Sequence, residues 1–529
     1  MASAAPTAAP AAAEAPRARA DWTGDRPALP VENRWLLTMG VMAAMIMQIL
    51  DSTIANVALP HMQTSLGATS ETVTWVLTSY IVASAIATPI TGWLAERLGS
   101  RNLFLISVGG FVIASMLCGM APNLETMVLF RVLQGIFGAF IGPLSQTVMM
   151  DINEPSRQGK AMSIWGMGVM IGPVVGPLLG GWLTENYNWR WIFYVNVPVG
   201  ILTMAILVTM LPSRPKIHRG FDGVGFGLLA VGLGAMQLML DRGHSEDWFR
   251  STEILIECAV MIAMLWMALV HFATARNPMF HRELFRDRNL VVGGFLMLLI
   301  GMTVMTPMAL LPPMLQTLFA YPVIDTGMVL APRGVGTFLT MAIAGFAMGR
   351  IDVRYAVTLG ILMSATSMYM MAHWTLEVSS TQVMLTGFLQ GLGMGLAFMP
   401  INALSFATLD PRFRTDGASL MNLLRSVGGS IGISIATTLL AQNAQIAHEK
   451  IGANVTEQTL PNFNVHDLTR FGQPGEAVFA MVDAEVSRQA YMIAYLNDFY
   501  MMAIISLFAI PLVFLFRKPK GKLDAVHSE

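Results

Sequence analysis

Residues Trp35–Val57 read WLLTMGVMAAMIMQILDSTIANV, twenty-three residues with one charge among them, Asp51. A bilayer core of roughly 30 Å is crossed by about 20 helical residues at 1.5 Å each. The run is therefore long enough to span, and helix-like rather than a short alternating barrel strand. An acid inside such a run is costly to bury and commonly serves a water-filled cavity or a proton relay. Burial favours its neutral, protonated form. The bland alternative is an acid merely bonded to a helix neighbour.

Working outward, thirteen more runs of this kind follow: 73–94, 103–121, 125–149, 161–183, 190–211, 223–240, 253–273, 290–316, 327–349, 355–373, 381–407, 417–441 and 495–516, with 223–240 the weakest. Lysine and arginine test this reading. With the N-terminus in the cytoplasm, 23 of the 32 basic residues fall in inside segments and 6 in outside segments, while Arg131, Arg333 and Arg425 lie within spans. The positive-inside rule asks for such a split when an even number of spans leaves both ends inside.

Composition agrees. The 529 residues are 54% hydrophobic and 12% charged, about half the roughly 25% charge of soluble domains. That deficit excludes an ordinary cytosolic enzyme and a disordered scaffold. A net charge of −1 supplies no basic stripe for nucleic acid. Cys118 and Cys258 are too few for a disulfide framework and read as small buried hydrophobes. Residues 1–33 are rich in Ala and Pro without a signal-peptide apolar region, so a disordered cytoplasmic tail is expected. A second cytoplasmic tail is expected at 518–529.

The chain also repeats itself. Gly92–Arg101 (GWLAERLGSR) returns as Gly345–Arg354 (GFAMGRIDVR), Gln134-Gly135 as Gln390-Gly391, and Arg157 as Arg414, at offsets of 253 to 257 residues. Two six-helix halves, 34–212 and 288–517, are expected. A linker at 213–287 would carry two extra spans, and a periplasmic loop would occupy 442–494. Parallel halves with a ligand site at their interface are a transporter plan.

Several motifs carry chemistry. LDSTIANVALP, Leu50–Pro60, holds Asp51 near the outer end of the first span. Arg131 and Gln134, in LFRVLQGIFGAFIG, fall at similar depth in the fourth, which runs the other way. Pairing of Arg131 with Asp51 would tune proton exchange. A guanidinium bonded to backbone carbonyls of the first or second helix is the other reading. In WGMGVMIGPVVGPLLGG, Trp165–Gly181, the residues Gly168, Gly172, Gly176 and Gly180 make one flat stripe, with Pro173 and Pro177 beside it. The stripe serves close helix packing, coupling, or both. Gly92, Glu96, Arg97, Gly99 and Arg101 form an acid-and-base turn suited to an inner gate latch. Arg425 in the thirteenth span needs a partner or a wet cavity. It would hold an anion there, or simply bond Asn422, Asn402 or helix-end carbonyls. The 42 methionines suit a promiscuous apolar cavity, although general membrane packing explains most of them.

Together these motifs resemble the fourteen-spanner drug:proton antiporters of the major facilitator superfamily, the EmrB/QacA type, over about residues 34–518. Glu96 and Ser100 depart from the usual Asp and Arg of the family's inner loop. The resemblance implies an all-α polytopic membrane protein of two six-helix bundles plus two inserted helices. It implies proton-coupled export of amphipathic toxic compounds across a bacterial inner membrane, or export of one dedicated cargo such as a siderophore, lipid or metabolite. It also implies a periplasmic adaptor and an outer-membrane channel as partners, with 442–494 as a contact. Nothing suggests an enzyme or a cofactor. The sequence has no GxxxxGK[ST] for ATP and no HxxxH pair for a metal, so a proton gradient would supply the energy.

Overall fold

The computed structural model describes residues 27–69, 72–154, 157–213, 220–347, 352–455 and 473–517. Fourteen long helices account for most of them. They are α1 (Arg34–Leu66), α2 (Thr72–Leu98), α3 (Ser100–Met120), α4 (Leu124–Asp151), α5 (Gln158–Asn186), α6 (Trp191–Met210) and α7 (Gly223–Arg242). The rest are α8 (Thr252–Thr274), α9 (Arg288–Leu318), α10 (Val323–Ala347), α11 (Val353–Met371), α12 (Ser380–Phe406), α13 (Arg414–Gly452) and α14 (Gln473–Val513). Thirteen are long and apolar enough to cross a membrane. The less apolar α11 still packs against α12 and α14. In lipid, backbone groups must be satisfied within the segment, which selects helix for every span.

Side chains mark where helices start. Asn33, Asn123, Asp222 and Asp287 accept hydrogen bonds from the backbone N–H groups of Leu36, Thr126, Gly225 and Leu290. Ser379 and Gln382 form a capping box on α12. Gly99 separates α2 from α3 at φ +88°, a conformation suited to glycine. The sequence suggested a compact loop here. The structure makes it a single-residue corner, with Gly92, Glu96 and Arg97 on the last turns of α2 and Arg101 on the first turn of α3.

Helix pairing repeats between the halves. The pairs α1–α5, α2–α4, α3–α4, α3–α6, α1–α6 and α1–α4 return as α9–α13, α10–α12, α11–α12, α11–α14, α9–α14 and α9–α12. The halves meet through α5 with α10 and α12, and through α13 with α2 and α4. The inserted α7 and α8 pair with each other, and α7 rests on α2 and α13. Its Asp241 accepts a hydrogen bond from Thr78 of α2, and its Leu240 carbonyl accepts one from Ser434 of α13 at 2.7 Å.

One expectation is corrected. Much of 442–494 is not loop. α13 continues to Gly452 and α14 begins at Gln473; residues 456–472 lie outside the described ones. A search for apolar runs stops where hydropathy falls, but a helix continues while its backbone bonds continue. The tails 1–26 and 518–529, and Arg350 of the repeat, also lie outside the described residues.

Candidate functional site: a sealed carboxylate and a bridge between the halves

Asp51 sits on the buried side of α1 at 1% exposure. Its Oδ2 accepts from Arg131 Nη1 of α4 at 2.7 Å. Its Oδ1 accepts from Gln134 Nε2 at 2.8 Å and from Asn196 Nδ2 of α6 at 2.7 Å. Arg131 Nη1 also reaches Gln134 Oε1 at 2.8 Å, and Arg131 Nε donates to the Val76 carbonyl of α2 at 2.9 Å. Both sequence readings of Arg131 thus coexist. The guanidinium carbon lies 4.4 Å from the centre of the Tyr80 ring, on the geometry of a cation–π contact. Four helices thereby close one charge pair, with Arg131, Gln134 and Asn196 each at most 1% exposed. Three N–H donors face two carboxylate oxygens, and charge-assisted hydrogen bonds of this kind are short and strong. Arg131 Nη2 is buried without a partner among the described residues.

Asn196 lacked a signal strong enough to place it here. It is uncharged, and within WRWIFYVNVPVG, Trp189–Gly200, it reads from sequence as a residue that could shape the helix, with no coupling role. Ser115 of α3 orients it: its Oγ accepts from Asn196 Nδ2 at 2.9 Å and donates to the Phe193 carbonyl at 2.9 Å.

The glycine stripe faces α1 around Asp51. A Cβ on Gly172 would lie 2.8 Å from the Ile49 Cβ and 3.1 Å from the Leu50 backbone nitrogen. Thr53 Oγ1 donates to the Gly172 carbonyl at 3.2 Å. Gly168 lies against Met42, Gly176 against Thr53, and Gly180 against Ile54. The side chain of Pro173 lies outside the described ones, and Pro177 is half-buried.

A second polar group joins the halves. Gln146 of α4 donates to Asn402 Oδ1 of α12 at 3.0 Å and accepts from Asn422 Nδ2 of α13 at 3.1 Å. Arg425 donates to Asn422 Oδ1 at 3.3 Å. Asn402, Asn422 and Arg425 are therefore assembled around Gln146, a residue the sequence did not single out. Trp165 of α5 caps the group: its ring stacks on Phe398 at 6.3 Å and its Nε1 donates to Ser145 Oγ at 2.9 Å.

At the end of the molecule carrying Asp151, the halves are latched. Arg414 donates to Asp151 at 3.2 Å, and Ser419 Oγ donates to the Thr88 carbonyl at 2.6 Å. Gly92 faces Asp416 of α13, too close for any side chain, and His281 reaches the same acid at 3.2 Å. Among the candidate gate residues, Arg101 caps the Val208 carbonyl of α6 at 2.6 Å and Arg97 lies over Trp93 at 5.3 Å. Glu96 is part-buried beside them.

Two six-helix units, paired alike and facing each other across buried polar groups, define a polytopic transporter rather than an enzyme. The model of the Major Facilitator Superfamily matches residues 41–442. A multidrug export protein, EmrB, of Haemophilus influenzae is 35% identical over 489 residues, covering 92% of this chain and 96% of that one. The fatty acid resistance protein FarB of Neisseria gonorrhoeae is 35% identical over 488 residues, covering 91% and 96%. The solved proton:xylose symporter XylE superposes with a TM-score of 0.61 at 12% identity, over 91% of this chain and 95% of that one, which speaks for the fold. The chain belongs to the major facilitator superfamily, and within it to the EmrB type.

Proposed function

We propose that this protein exports amphipathic toxic compounds across the bacterial inner membrane in exchange for protons, by alternating access between its two halves. The observation that carries the reading is the Asp51–Arg131 pair, sealed by Gln134 and Asn196. A buried carboxylate held only by displaceable donors suits a proton carrier. When helices α1, α4 and α6 separate, the acid loses its donors and a proton can take their place. Returning the proton restores the pair. Relatives named as multidrug export proteins support the cargo class.

In this conformation the latch at Arg414–Asp151 and Thr88–Ser419 closes the end assigned to the cytoplasm. Rocking of the halves would break it, with the Gly168–Gly180 stripe letting α5 slide on α1. The Gln146–Asn402–Asn422–Arg425 group would line the cavity once opened.

Inside-out vesicles with an imposed proton gradient test the reading. A panel of lipophilic cations, weak acids and neutral drugs should release protons in the wild type and not in Asp51→Asn. Release that persists in Asp51→Asn would move the proton site elsewhere. No release with any compound favours a second reading, one dedicated cargo. The relative named for fatty acid resistance supports that reading, with an amphipathic acid as the cargo class.

The helical extensions of α13 and α14 suit docking of a periplasmic adaptor, which would pass cargo to an outer-membrane channel. Deleting 452–485 should leave vesicle transport intact and abolish resistance in cells. Loss of both would sink the docking role.

A further inference from the structure

Asp498 of α14 is 1% exposed, and both of its carboxylate oxygens are buried without a hydrogen-bond partner among the described residues. Its helix neighbours Tyr495, Phe499 and Met502 belong to an apolar cluster with Leu311, Met314, Met371 and Trp374. Its helix packs on α9, α11 and α13. The contrast with Asp51 is chemical. Asp51 has three donors and a counter-charge, whereas Asp498 has neither. An isolated ionised carboxylate in apolar surroundings is costly, and no donor or counter-charge at this site offsets that cost among the described residues.

Among the described residues none of the neighbours' charges bonds to Asp498. The outer half of α9, 304–318, contains no ionisable residue. α11 carries Arg354 and Tyr355 at its inner end and Tyr369 in its outer half, with His373 just beyond its outer end; the Tyr369 and His373 rings lie 4.5 Å apart. α13 carries Arg414, Asp416 and Arg425 in its inner half and His448, Glu449 and Lys450 at its far end. On α14 itself stand Tyr491, Tyr495 and Tyr500, and further out Arg488, which donates to the Leu318 carbonyl at 3.2 Å and pairs with Glu485.

Asp498 lies between the exposed outer part of α14 and a buried cavity further in. Tyr491, Tyr495 and Asp498 fall on one side of α14, at 46%, 5% and 1% exposure. Seven residues of helix place the acid about 10 Å inward of Tyr491. Two turns further in, about 12 Å, Ser506 lines a small cavity between α9, α11, α12 and α14, with Thr303, Ser364 and Met394. A permanently neutral acid would gain nothing there over leucine, because it leaves its hydroxyl unpaired. The acid makes sense if another state of the cycle gives it water.

We propose that Asp498 is a second proton-carrying carboxyl group, which the C-terminal half loads and unloads as it moves. The proposal rests on the proton-exchange reading of Asp51 and adds one proton per cycle.

The experiment uses the full-length protein in proteoliposomes. Protons moved per cargo molecule are measured for wild type and Asp498→Asn with the same cargo. The expected result is one proton fewer per cargo molecule in the variant, whatever its absolute rate. An unchanged ratio overturns the proposal while leaving the exchange reading in place; no proton movement in the wild type removes that reading first. Should Asp498→Asn be misfolded or inactive, the wild type decides. A hydrophobic carbodiimide modifies protonated carboxyls in apolar surroundings, and peptide mapping reads its position. Labelling of Asp498 that falls as pH rises supports a loading and unloading group. No labelling, or labelling independent of pH, refutes it.

Discussion

Asn196 Nδ2 lies 2.7 Å from Asp51 Oδ1, and this one hydrogen bond ties the sixth helix to the first. The same nitrogen lies 2.9 Å from Ser115 Oγ, which brings in the third helix. With Arg131 and Gln134 from the fourth, the acid is a junction of the whole N-terminal half. Whatever changes the charge of Asp51 therefore changes the packing of four helices at once. A proton carrier needs that link between charge and shape to drive a conformational change.

Asn196→Ala tests the link without touching the ion pair. The variant removes one charge-assisted hydrogen bond, worth about 1.5–3 kcal/mol. It should fold, bind cargo and exchange protons about tenfold more slowly or worse. Initial rates in proteoliposomes check this. A wild-type rate would mean that the sixth helix moves independently of Asp51.

Arg131→Ala should be more damaging than Asp51→Asn/Arg131→Ala. Breaking a buried pair from one side strands the other charge, at about 3–5 kcal/mol. Removing both charges strands neither. Thermal unfolding of the purified proteins in detergent should rank the double variant above the Arg131 single variant. Additive losses would show that the pair contributes nothing as a pair.

The extent to which the sequence displayed this arrangement follows from charge. Asp51, Arg131 and Arg425 were visible because a charge inside an apolar run is rare and costly. The stripe from Gly168 to Gly180 was visible because its spacing is that of one helix face. Asn196 received no coupling role and Gln146 was not singled out, because uncharged polar side chains are tolerated in spans for many reasons, and only contacts separate them. Asp416 lay just outside a span, where acids are ordinary, yet it meets Gly92 of the opposite half. The ends of α13 and α14 were missed because they are governed by helix propensity beyond the bilayer, where hydropathy carries no signal.

The glycines of the stripe should differ in sensitivity. At Gly172 a methyl group would press on the Ile49 side chain and the Leu50 backbone of α1, which cannot yield without moving the helix that carries Asp51. At Gly180 a methyl would meet Ile54 at 3.4 Å, ordinary contact. Gly180→Ala should keep most transport activity, and Gly172→Ala should lose at least tenfold, with overpacking of about 1–3 kcal/mol behind it. Equal tolerance at both sites would remove the stripe as a bearing surface between α1 and α5.

The latch between Thr88 and Ser419 gives the most direct view of alternation. Thr88–Ile90 forms a 3-10 turn with Pro89 inside it, within α2. The Thr88 carbonyl accepts from Thr91 Oγ1 on its own helix and from Ser419 Oγ on α13, both at 2.6 Å. Arg414 and Asp151 close the same end 3.2 Å apart. If these contacts open and close with each cycle, cysteines replacing Thr88 and Ser419, in a chain with Cys118 and Cys258 changed to Ala, should be joined by a short thiol cross-linker. Transport should then stop. A cross-linker cleaved by reductant should restore it. Added cargo should change the rate of joining, because it shifts the population of the closed form. Joining with full transport would show that this end never needs to open, and the rocking of the halves would have to be abandoned.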